Sequence, residues 1–224
     1  SPIDPIDPAI SRAMRFGGAG PDYLEVPVGL NQRLSSWTLE AWVNPSNALG
    51  GVITRRTVQK LADGSDAMNY VLGLTTNGGS GLQPYAGYVT VDGHTNLLVA
   101  AGSIMVGGWT HLAAAYDFES ATLAIYTNGI LSVSSNGVHD APPVNGRVGE
   151  AFLRMGEGFS GLIDEVRIWD FARTGGEIST NYGWTVSIDA PGLRNYFRFD
   201  DGQAVTNMFP FGTYHQAYGA QDFT

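Results

Sequence analysis

The chain has 224 residues, 43% of them hydrophobic and only 15% charged, with 30 glycines and 11 prolines, a balance that suits a turn-rich folded domain and not a disordered one. Its net charge of −9 argues against a nucleic-acid partner, which requires a basic footprint. With no cysteine there is no disulfide scaffold, thiolate metal site or cysteine nucleophile, and no apolar run is long enough to cross a membrane.

In chain order, SPIDPIDPAIS places Pro2, Pro5 and Pro8 at every third position, which favours an extended linker over residues 1–11. Short alternating apolar runs then follow one another between turn residues. The first are AMRF and YLEV. In WTLEAWV, Trp37, Leu39, Ala41 and Val43 share one face, and Thr38, Glu40 and Trp42 the other. The segment RRTVQKLADGSDAMN, residues 55–69, reads as a solvated surface loop or, alternatively, as a rim loop that touches a ligand. After YVLGL, YAGYVTV, NLLVAA and WTHLAAAYD comes ATLAIYTNGILSVSS, two strand-like runs flanking Asn128-Gly129, a strong hairpin signal.

FLRMGE precedes SGLIDEVRIWD. Simple alternation there puts Leu162, Asp164, Val166 and Ile168 on one face, and Ile163, Glu165, Arg167 and Trp169 on the other. Glu165 and Arg167 are then expected to dress the surface. Asp164 is a carboxylate on an apolar face and needs a partner, a proton or a metal. Thr174 and Glu177 in ARTGGEISTNY have capping-box spacing, with Ile178 and Tyr182 on one face of a single short surface helix. RNYFRFD closes the pattern. Nearly a dozen short strands between glycine-rich turns predict an all-β, two-sheet antiparallel jelly-roll sandwich over residues 12–224, with an atypical tail from 204 to 224.

The ordered motifs AMRFGGAGPDYLEVP, WTLEAWVNP, GGWTHLAAAYDFESATLAIYTNGILS, GLIDEVRIWDFARTGGEISTNY and PGLRNYFRFDDGQ resemble the laminin-G-like and pentraxin-like modules of the concanavalin A-like lectin/glucanase superfamily. The resemblance runs from about residue 13 to 202 and implies one concave and one convex antiparallel sheet. It also implies a structural Ca²⁺ held by Asp22 and Asp164, with backbone carbonyls of Phe16, Gly17 and Gly18 completing the shell. Relatives often carry an aspartate where this chain has Gly17. The alternative for Asp164 is backbone N–H donors or an arginine such as Arg15.

Glycosidases of that superfamily carry E-x-D-x-x-E on one strand, because alternate residues share a face and retaining chemistry needs carboxylates about 5 Å apart. None of the seven glutamates here has an aspartate two places downstream, and no G-x-S-x-G occurs, so the expectation is a non-enzyme. His111 is expected to be structural, and Trp37, Trp109 and Trp169 to pack. Tyr85, Tyr88, Asp92, His94 and Asn96 cluster in the less family-like PYAGYVTVDGHTN and form the expected ligand patch. The resulting expectation is a non-catalytic, carbohydrate-binding module of a larger extracellular, bacterial protein. Its partners would be a glycan or cell-surface protein and its neighbouring domains, with neither nucleic acid nor membrane insertion; the alternatives are a structural or adhesive spacer binding a protein partner and, behind it, a divergent glycoside hydrolase or lyase.

Overall fold

A computed structural model describes residues 2–7, 12–18, 22–27, 33–46, 50–61, 64, 66–76, 81–138, 142–143, 152–200, 216–218 and 221–223. The first strands are β1 (Pro2–Pro5), β2 (Ala13–Gly17), β3 (Tyr23–Pro27), β4 (Trp37–Pro45), β5 (Gly50–Lys60), β6 (Asp66–Thr75), β7 (Gln83–Val89) and β8 (Thr95–Val99). They are followed by β9 (Thr110–Asp117), β10 (Thr122–Thr127), β11 (Ile130–Asn136), β12 (Phe152–Met155), β13 (Ser160–Trp169), α1 (Gly175–Asn181), β14 (Trp184–Val186), β15 (Leu193–Phe197), β16 (Gln216–Tyr218) and β17 (Gln221–Phe223). One sheet has eight strands, ordered β11-β10-β9-β4-β13-β2-β17 with β15 also paired to β13. The other has seven, ordered β16-β3-β12-β5-β6-β7-β8. The expected sandwich is therefore observed, with antiparallel pairing in both sheets.

The core lies between the sheets. Trp37, Leu39, Ala41 and Val43 all enter it, as the alternation in β4 requires. Trp37 packs against Tyr70 and Tyr116, with centroids 6.1 and 5.9 Å away, while Tyr88 sits 5.0 Å from Tyr116. Burying large rings is the strongest apolar contribution such a sandwich can make, and the Tyr88 hydroxyl is satisfied on the Tyr116 hydroxyl at 3.1 Å.

Three expectations need correction. Pro2–Pro5 is not a free linker: β1 pairs with β14, and the Asp4 N–H donates to Thr185 Oγ1 at 2.9 Å. Residues 55–69 are mostly strand, because β5 and β6 pair along their length and register up to Lys60 and Asp66. Simple alternation also fails in β13. Ile163 points into the core, yet so do Val166 and Ile168, because a bulge at Asp164–Glu165 inserts one residue and reverses the parity. Glu165 takes φ +52°, and Asp164 accepts its N–H at 2.8 Å. The tail contributes two short edge strands, β16 against β3 and β17 against β2; the remainder of 204–224 lies outside the described residues.

The helix is the expected one. Thr174 Oγ1 accepts the Glu177 N–H at 3.2 Å, and Glu177 Oε2 accepts the Thr174 N–H at 2.7 Å. Its single buried residue, Ile178, packs with Ala113 and Ala115 on the outer face of the eight-stranded sheet. One outer face is therefore covered.

Candidate functional site

The covered face holds the densest chemistry in the molecule. Pairing aligns Tyr126, Ala113, Glu40, Arg167 and Tyr196 on one rung across five strands. Glu40 is fully buried and accepts from Trp169 Nε1 at 2.7 Å and from Arg173 at 2.6 Å, with His111 Nε2 3.4 Å from its other oxygen. The Arg173 guanidinium lies 4.5 Å over the Trp169 ring. Arg167 donates to Glu165 at 2.9 Å and to the Trp184 carbonyl at 2.7 Å, and the Tyr196 hydroxyl donates to the same Glu165 carboxylate. Glu165 and Arg167 are thus buried, contrary to the surface role that alternation assigned them.

Electrostatics follow from this packing. Burial alone would raise the Glu40 pKa, but His111, Arg173 and Arg167 together hold it far below the usual carboxylate range. Burial lowers the His111 pKa despite the neighbouring carboxylate, so the imidazole is neutral beside an ionised Glu40. These groups lie beneath α1 and β14, out of reach of a ligand. Their chemistry is that of a fastening: a charged network ties the helix and the late strands onto the sheet. Trp169 and His111 have the packing and hydrogen-bonding roles expected of them.

Asp22 and Asp164 are not brought together. Asp22 lies in the β2–β3 connection, where its Oδ2 accepts the Gly17 N–H. A Cβ at position 17 would lie 2.9 Å from that oxygen, which gives a physical reason for glycine there. Gly17 pairs with Ser160, whereas Asp164 pairs with Trp42 four residues farther along β13, about 13 Å at 3.3 Å per residue. One ion cannot bridge the two carboxylates. Asp22 Oδ1 is buried without a hydrogen-bond partner, and a carboxylate oxygen so placed suits a cation. Among the described residues, no three histidine, aspartate or glutamate side chains are grouped to hold a metal.

The outer face of the seven-stranded sheet is built differently. Tyr85 pairs with Gly73 across the strands, and a Cβ on Gly73 would lie 2.7 Å from the Tyr85 Cε1 atom. The ring therefore lies down on the sheet over a residue with no side chain, and is half-buried. Gly87, two residues along β7 on the same face, has no room for a side chain either, since a Cβ would lie 1.8 Å from the Asn96 carbonyl oxygen. Leu97 and Val99 stand exposed on β8 alongside.

At the other end of the face, Arg154 on β12 donates to Glu25 at 2.9 Å and to Glu157 at 2.6 Å, and its guanidinium lies 4.2 Å over the Tyr23 ring. All three charged side chains are partly exposed. Three strand spacings of about 4.8 Å separate β12 from β7, a span of about 14 Å. No motif announces this cluster, because Glu25 and Arg154 are 129 residues apart and meet only through the register of β3 and β12.

The nominated patch is divided. Tyr85 lies half-buried on the outer face, on which Val71 and Thr54, between Gly87 and Arg154, are buried. Tyr88 is a core residue with no exposed surface, because its parity on β7 is opposite to that of Tyr85. Asn96 pairs with Tyr88 and shares its side of the sheet. Asp92 and His94 are exposed at the tip of the β7–β8 hairpin, where the Thr90 hydroxyl accepts the His94 N–H at 3.0 Å.

The family described as the Concanavalin A-like lectin/glucanases superfamily matches residues 17–179. Among solved structures, a Bacteroides ovatus protein assigned provisionally to carbohydrate binding aligns at a TM-score of 0.66 and 20% identity over 92% of this chain. The chain spans 55% of that protein's length. Domain 4 of AbnA, an extracellular arabinanase from Geobacillus stearothermophilus, in complex with arabinotriose, aligns at 0.52 and 22% identity over 80% of both chains. The CBM40 of Ruminococcus gnavus IT-sialidase, bound to α2,3-sialyllactose, aligns at 0.56 and 15% identity over 82% of this chain and 98% of its own. No curated protein matches. With its sandwich, helix-covered sheet and a family match over most of its length, the chain belongs to the concanavalin A-like lectin/glucanases superfamily.

Proposed function

We propose that the chain is a non-catalytic carbohydrate-binding module that seats an oligosaccharide across the outer face of the seven-stranded sheet, from Tyr85 toward Arg154. The observation that carries this reading is the Tyr85 ring laid over Gly73 and flanked by Gly87. A flat aromatic ring laid against a glycine is a surface on which the apolar face of a sugar stacks, while planar charged side chains nearby orient its hydroxyls. The solved structures of similar fold that hold arabinotriose and sialyllactose support a glycan as ligand. The longer Bacteroides protein supports a module carried by a larger chain, which we place outside the cell.

We further propose a structural calcium ion at the Asp22 turn, held by Asp22 with backbone carbonyls and without Asp164. When bound it supplies only charge and coordination that fix the turn. The glycan reading is tested by screening the purified chain on a glycan array and by calorimetry with each hit. Tyr85→Ala is expected to weaken binding by about two- to tenfold, in the range of one lost stacking contact. A hit whose affinity is unchanged in Tyr85→Ala would remove the open face as the seat.

A further inference from the structure

The sequence repeats one chemically labile dipeptide, and the fold treats its copies differently. Asn-Gly occurs at 77–78, 128–129, 136–137 and 145–146, and the second and third pairs are among the described residues. Asparagine followed by glycine is open to attack on its side-chain amide by the next backbone nitrogen, because glycine has no side chain to block the approach. We propose that Asn136 is a site of spontaneous deamidation in the folded chain and that the fold protects Asn128.

Asn128 is gripped twice by β9. Its N–H donates to the His111 carbonyl at 2.8 Å, and its Oδ1 accepts the His111 N–H at 2.9 Å. The attacking nitrogen would be that of Gly129, which is buried, with Tyr182 so close that a Cβ on the glycine would lie 2.7 Å from Cδ1 of the ring. Neither group can swing onto the other. Asn136 is the last residue of β11, which pairs only with β10 among the described residues, and both Asn136 and Gly137 are exposed. The Asn136 Oδ1 accepts from the Thr122 hydroxyl at 3.3 Å, and that one hydrogen is shared with the Ser120 carbonyl at the same distance. No hydrogen bond holds the Gly137 N–H among the described residues. Strand ends fray readily, so the Gly137 nitrogen can reach Cγ of Asn136 without global unfolding.

In the step itself the Gly137 nitrogen gives its proton to solvent base and bonds to Cγ of Asn136. The bond from Cγ to the amide nitrogen breaks, and that nitrogen leaves as ammonia. Water then opens the cyclic imide, at one carbonyl to aspartate and at the other to isoaspartate, which lengthens the main chain by one carbon at the end of β11. Either product adds one negative charge to a chain already at −9.

The full chain, incubated in mildly alkaline buffer both folded and in urea, gives the test. Peptide mapping by tandem mass spectrometry follows the conversion of amide to acid at each Asn-Gly pair separately. In the folded chain, conversion is expected to run at least about tenfold faster at Asn136 than at Asn128. In urea, where no fold distinguishes the two, their rates are expected to converge. Asn136→Gln is expected to lose the product at that position while Asn128 stays protected. Equal or faster conversion at Asn128 in the folded chain would overturn the proposal, as would conversion at Asn136 that occurs only in urea. A ratio undiminished in urea would assign the difference to sequence neighbours and overturn the protecting role of the fold. Melting curves confirm that the chain incubated without urea is folded.

Discussion

Glu40 and His111 face each other at 3.4 Å, both buried, and the consequence is a pH dependence of stability with a definite sign. The unfolded chain takes up a proton on His111 near the ordinary value of 6.5, whereas burial keeps the folded imidazole neutral to lower pH. Wherever the unfolded state binds more protons, acidification favours unfolding. Stability is therefore expected to fall as pH drops through 6.5. Glu40 adds a second loss below its ordinary value of 4.5, because its folded pKa is lowered as well. Urea melts between pH 4 and 8 of the wild-type chain and of His111→Asn, read as a difference, isolate this residue from other titrating groups. The variant should lack the slope that sets in within the window just below pH 6.5. A difference curve flat across that window would mean that His111 titrates alike in both states.

At the scale of elements, β13 and α1 show what sequence reasoning reaches and where it stops. The capping box of α1 was legible because Thr174 and Glu177 interact over three residues, with no help from the rest of the fold. Thr174→Ala is expected to cost about 1 kcal/mol, within the range for loss of an N-cap, by urea denaturation. A larger loss would indicate that the helix end carries the sheet below it. The faces of β13 were not legible past Asp164. A bulge is invisible to a period of two, and every side chain beyond it changes side. Val166 and Ile168 were placed together correctly, but Ile163 joins them only across the bulge. Tyr85 and Tyr88, three residues apart on β7, part by alternation alone, whereas the pairing of Glu25 with Arg154 depends on register and was hidden. The family motifs were legible for a physical reason: Glu40, His111, Arg167, Trp169 and Arg173 form one buried network, and such a network tolerates few substitutions.

Across the whole molecule, one outer face is covered and fastened, and the other carries the partly exposed charges and the half-buried tyrosine. The β2–β3 connection carries the chain from the eight-stranded sheet to the seven-stranded one, and Asp22 sits in it with one buried carboxylate oxygen lacking a hydrogen bond. A cation bound there only in the folded state would stabilise the whole sandwich through mass action, by about 2.7 kcal/mol at a hundredfold excess over its dissociation constant. Thermal melting in millimolar calcium and in EDTA is expected to differ for the wild-type chain and to coincide for Asp22→Asn. Asp164 makes the distinction sharper, since its carboxylate accepts the Glu165 N–H within the bulge and lies four residues from the Ser160 rung. Asp164→Ala should therefore lower the melting temperature while preserving the response to EDTA. Loss of that response in Asp164→Ala alone would place the ion at the bulge, and an identical wild-type midpoint in calcium and EDTA would remove it from the molecule altogether.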